Sequence, residues 1–111
     1  MSTGDTGERD GATSAAVAVA IPAIVAATAG QGVVDAHWFI AFHGYPVIWL
    51  VTTTDADKDE VAARGFFRPE VLVALRAAGV RSDLVDRTHV TVESQETVDR
   101  DFDGSWFNAM R

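Results

Sequence analysis

The sequence predicts an α+β domain, with helices packed on a small antiparallel sheet. Three observations predict it. The stretch "VVDAHWFIAFHGYPVIWLVTTTD" is dense in β-branched and aromatic residues and is broken once, at His43-Gly44-Tyr45-Pro46. The segments on either side carry apolar residues at helical spacing. Further on, "THVTVES" alternates Val90 and Val92 with Thr91 and Glu93, the period of a half-buried strand.

The elements follow in chain order. Residues 1–11, "MSTGDTGERDG", hold three glycines and no apolar pattern after Met1, so a disordered tail is expected. Residues 12–111 are expected to form one domain, because 111 residues suffice for a single modest core. Ser14 is placed to cap a helix that stops before Gly30. Val17, Ile21, Ile24, Val25 and Thr28 fall on one face of it, with Pro22 marking a kink or a restart; Val17, Val19 and Ile21 also fit a strand of period two, and the Ala content favours the helix. Two strands, about 33–43 and 46–53, are then expected as an antiparallel hairpin with a tight two-residue turn.

"DADKDEVAARG" reads as a helix whose first turn is crowded with acids, where the positive end of the helix dipole favours them. Gly65 marks its stop. "RPEVLVALRAAGV" reads as another helix, with Pro69 in the first turn, Gly79 at the left-handed C-terminal position and Val80 as the apolar contact beyond. Its inner face is Val71, Leu72, Leu75 and Ala78. Residues 81–87 are polar and are expected to be a loop. "THVTVES" supplies a third strand, and Val98, Arg100 and Phe102 alternating with Asp99, Asp101 and Asp103 suggest a longer strand or a fourth one. Ser105 is placed to cap a terminal helical turn.

Composition excludes several function classes. Sixteen acids against nine Lys plus Arg give a net charge of −7. That disfavours nucleic acid, whose footprint is basic, and acidic membrane surfaces, which would repel the chain. The absence of Cys excludes disulfides, thiol catalysis and Cys-based metal centres. "AAVAVAIPAIVAATA" (15–29) resembles a signal h-region, but the residues before it sum to negative where a signal needs a positive flank. The run is also short for a membrane span. A cytoplasmic protein is therefore expected.

Candidate sites are few. Asp99, Asp101, Asp103 and Gly104 read D-x-D-x-D-G, the first half of a calcium loop, which makes the three aspartates a candidate metal site. Position 12 of such a loop is Met110 rather than the bidentate Glu that closes the shell. Asp55, Asp57 and Asp59 repeat the spacing without the glycine and are read as helix-start acids. Asp35, His37 and His89 are a candidate acid–base group at the sheet edge, although His37 and His43 on one strand stand too far apart to share a metal. No nucleophile motif, phosphate loop or cofactor fingerprint is present, so no catalytic residues and no cofactor are assigned.

The hairpin carries the strongest signal. Trp38, Ile40 and Phe42 point to one side of the first strand and Phe39 and Ala41 to the other; Val47, Trp49 and Val51 oppose Ile48 and Leu50. An antiparallel sheet with one wet face alternates with polar residues, and this one does not. Both faces require cover, at ~1.5–3 kcal/mol for each large apolar side chain. The expectation is a non-catalytic interaction or accessory domain that self-associates as a homodimer or binds another protein. Its surface is expected to include Trp38, Phe42 and Trp49, with Trp106 and Phe107 in "DFDGSWF" as a second patch.

Overall fold

The computed structural model describes the backbone of residues 2–110 and the side chains of residues 11–110. The tail expected over residues 1–11 lies, Gly11 apart, outside the residues described in full. The chain is α+β: helix α1 (Ser2–Thr28), strands β1 (Val33–Ile40) and β2 (Pro46–Thr52), helices α2 (Asp55–Arg64), α3 (Phe67–Ala77) and α4 (Ser82–Asp86), strand β3 (His89–Ser94), and helices α5 (Gln95–Phe102) and α6 (Trp106–Ala109).

The three strands lie in the order β1-β2-β3, with β1 and β2 antiparallel and β2 and β3 parallel. The sheet is therefore mixed rather than antiparallel throughout. The cause is the connection: α2, α3 and α4 fill the chain between β2 and β3, and a crossover of that length returns the third strand in the direction of the second.

One face of the sheet carries the main core. Trp38 stands beside Ile48 and Ala36 beside Leu50 across the hairpin, and Val90 and Val92 extend the layer on β3. Against it pack Val17, Ala20 and Ile24 of α1, Val61 of α2, Val71 and Leu75 of α3, and Val85 of α4. On α1 the buried positions Thr13, Val17, Ala20, Ile24 and Thr28 recur every three or four residues, which is one helical face. Thr28 is fully buried and donates its hydroxyl to the Ile24 carbonyl.

Several boundaries differ from expectation for identifiable reasons. Helix α1 runs through Ser14 and Pro22 without a break, so Ser14 caps nothing. The β1–β2 connection is longer than a two-residue turn: Ala41 N–H donates to the Tyr45 carbonyl, and Gly44, at φ 89°, donates to Ala41. His43 is therefore in the loop and not on the strand. Residues 82–86 form α4 rather than a loop, anchored by the fully buried Val85 and by Leu84, which packs against the core beside it.

The largest difference is α5. Residues 95–102 are a helix, not a strand, because Ser94 caps it by accepting from the Thr97 N–H. The cap stops β3 and starts the helix in one residue, and the alternation of Val98 and Phe102 with the aspartates is incidental to it. The helices over 55–64 and 67–77 agree with the sequence. Gly65 ends the first at φ 67°, and Val80 N–H closes the second on the Leu75 carbonyl.

Leu75 is fully buried in the main cluster. Leu75→Ala is expected to cost about 3 kcal/mol, measured as a shift in the urea midpoint without a change in slope.

Candidate functional site

The second face of the sheet is where the candidate residues collect. On this face Asp35 stands beside Val51, His37 beside Trp49 and Phe39 beside Val47. Val47 and Val51 are buried, although neither belongs to the main core. Their cover comes from the C-terminus. Trp106 lies against His37 with ring centroids 4.7 Å apart and meets Trp49 edge-on at 6.4 Å. Its indole N–H donates to Gln95 Oε1 at 2.9 Å, which fixes the ring relative to α5. The Trp49 indole N–H is buried and has no acceptor among the described residues.

The turn that brings Trp106 back is the D-x-D-x-D-G stretch. Asp103 and Gly104 both adopt left-handed backbone, at φ 52° and 79°, and Gly104 N–H closes on the Val98 carbonyl. Ser105 then caps α6 by accepting from the Asn108 N–H. The stretch thus ends helix α5. Asp101 forms an ion pair with Arg100, Asp99 accepts from Gln95 Nε2, and Asp103 supplies the turn. Residues two apart on a helix do not share a face, so α5 parts Asp101 from Asp99. Among the described residues no group of three or more His, Asp or Glu side chains converges to hold a metal ion.

The Asp35, His37 and His89 group is not brought together either. His37 and Asp35 approach to 4.0 Å on β1. His89 begins β3, on the opposite edge of the sheet, at least two strand spacings or ~10 Å away.

Where the expected interaction residues stand divides them in two. Trp38, Trp49 and Trp106 are half-buried within the chain. Phe42, in the β1–β2 loop, is 98% exposed and Phe107 is 77% exposed. Phe39 joins them at 39%, a residue the sequence placed on the face opposite Trp38 without singling it out. An open groove of about 470 Å³ runs here, lined by Ala36, His37, Trp38 and Phe39 along β1 and by Trp106, Phe107 and Met110 opposite.

A polar cluster that sequence reasoning missed joins the ends of the two parallel strands. Asp55, at the start of α2, accepts from the Ser94 hydroxyl, from the Thr97 hydroxyl at 2.5 Å and from Arg100 Nη1 at 3.1 Å. In return Glu96 Oε1 accepts from the Asp55 N–H, and Glu96 N–H donates to the Thr53 carbonyl. The starts of α2 and α5 are thereby clasped. The only sequence signal was a Ser three residues before a Thr; the partner is 39 positions away.

The donors from Ser94, Thr97 and Arg100 hold the Asp55 carboxyl well below the usual carboxylate range. Its unfolded value is the ordinary 3.8. The clasp therefore contributes its full stabilisation above that pH and loses it as pH falls through the lower folded value.

Compared with known proteins, the chain matches no family model, no curated protein and no solved structure.

Two outcomes are expected here. Asp55→Asn lowers the melting temperature at pH 7, and its gap from the wild type narrows as pH drops below about 4; melts across pH read this directly. Trp106→Ala exposes Trp49 and costs about 2 kcal/mol, less than the ~3–5 of a fully buried aromatic, seen in chemical denaturation.

Proposed function

We propose that this chain is a non-catalytic interaction or accessory domain of the cytoplasm that works as a homodimer. The observation that carries the reading is the split among its aromatics. Trp49 and Trp106 cover one another within the chain, while Phe39, Phe42 and Phe107 remain at the surface on the β1 side. Exposed phenylalanines are costly to leave in water, and their usual destination is a partner. The surface next to them, Ala36 through Ala41, carries no acid or base other than His37, in a chain of net charge −7. Charge depletion around aromatic residues is the composition of an interface centre.

Helix α1 bears on the compartment. With the short helical turn that follows it, it makes a stretch, Gly11–Gln31, long and apolar enough to cross a membrane by length and composition. Against that, Val17, Ala20 and Ile24 are part of the core, so removing α1 to a bilayer would strip cover from β1 and α3. This supports a cytoplasmic chain.

Sedimentation velocity across micromolar concentrations tests the reading. The expected result is a species of twice the monomer mass, weakened about tenfold or more by Phe42→Ser or Phe107→Ser, a loss of ~1.4 kcal/mol or more in association. A monomer at every concentration would remove self-association from the account.

A further inference from the structure

We infer that the second copy docks on the open edge of β1, pairing strand to strand about a two-fold axis near Phe39. The inference rests on the self-association proposed above and gives it a surface and a register.

The two edges of the sheet are treated differently. The β3 edge is attended by α2, and Lys58 of that helix pairs with Glu93 at 3.1 Å. Among the described residues β1 pairs with β2 alone. Its first half is blunted in the ways edge strands usually are. The register slips between Val33 and Asp35, and the Asp35 carboxylate takes up the Ala36 N–H at 2.8 Å. Its second half, His37 to Ile40, has no Lys, no Pro and no bulge. An edge of that kind is a template for another strand.

The backbone directions follow from one hydrogen bond. Ala41 N–H donates to Tyr45, so residue 41 faces β2, and by the two-residue period so do Phe39 and His37. Trp38 and Ile40 therefore present their N–H and C=O groups outward. The groove beside the strand is consistent with this. Four consecutive residues, Ala36 to Phe39, line it, although their side chains alternate between faces, which places the groove along the backbone edge.

Two copies can satisfy these groups together. With the axis at Phe39, Trp38 of each copy exchanges both backbone bonds with Ile40 of the other, and the Ala36 N–H stays with Asp35. Phe39 then faces its own counterpart in a non-hydrogen-bonded position, where cross-strand aromatics lie closest. The area is of the right order. Phe39, Phe42 and Phe107 offer about 400 Å² of exposed side chain per copy at ~200 Å² for each phenylalanine. Two copies give about 800 Å², to which the paired strand backbones add, against the ~1,200 Å² at which specific interfaces begin.

The register makes a sharp test. Phe39→Lys and Phe39→Glu each place like charges opposite one another, so each full-length variant is expected to sediment as a monomer while keeping the wild-type melting profile at low concentration. Mixed in equal amounts, the two are expected to form a heterodimer that high salt dissolves. If the wild type is dimeric but both variants stay dimeric, or the mixture does not re-pair, the β1 edge is not the interface, although self-association stands. If the wild type is a monomer throughout, both inferences fall. Should one variant fold poorly, Phe39→Thr with Ile40→Pro, which deletes an outward N–H without touching the β1–β2 ladder, is expected to abolish the dimer as well; a dimer that survives it overturns the pairing.

Discussion

Strand β2 is buried from both sides, and the rest of the fold is arranged to meet that requirement. Ile48 and Leu50 turn to one face and Val47 and Val51 to the other, and all four are 9% exposed or less. No alternation of apolar and polar residues lets water onto either side. Helices α1 and α3 seal the first face with aliphatic side chains from several segments. On the second lies a short C-terminal hook, with Trp106 laid on Trp49 and His37.

That hook depends on local chemistry rather than on a large apolar surface. Ser94 ends β3 and starts α5 at a single residue, and Asp103-Gly104 ends α5 in left-handed backbone so the chain doubles back. The Asp55 clasp holds the start of α5 to the start of α2 and so fixes where the hook begins. Stability and surface are linked through these few residues. Trp106 is tied to α5 by its hydrogen bond to Gln95, so the clasp and the cover over β2 share one helix.

Much of this was legible in the sequence. The apolar hairpin, the α2 and α3 helices with their glycine stops, and β3 all followed from period and punctuation. The inner face of α1 was readable from its spacing. What could not be read depended on distant partners. The parallel pairing of β3 is a property of the whole crossover. The α5 helix was hidden because eight residues with Val98, Arg100 and Phe102 satisfy a strand period as well as a helical one, and only the Ser94 cap decides between them. The aspartates of D-x-D-x-D-G suggested an ion; folded, they are an ion-pair partner, a glutamine acceptor and a helix terminus. Of the residues expected at an interaction surface, Trp49 and Trp106 meet within the chain, Trp38 packs against the main core, and Phe42 and Phe107 are exposed.

Covering both faces of β2 leaves one element less protected, the far edge of β1, which among the described residues pairs with β2 alone. Amide hydrogen exchange across the sheet tests the underlying claim most directly. If β2 is the doubly covered centre, the amides of Ile48 to Val51 exchange last and at the rate of global unfolding. Exchange in β2 as fast as in the Ala41–Tyr45 loop would contradict it, since a strand open on either face cannot be the part on which the others depend.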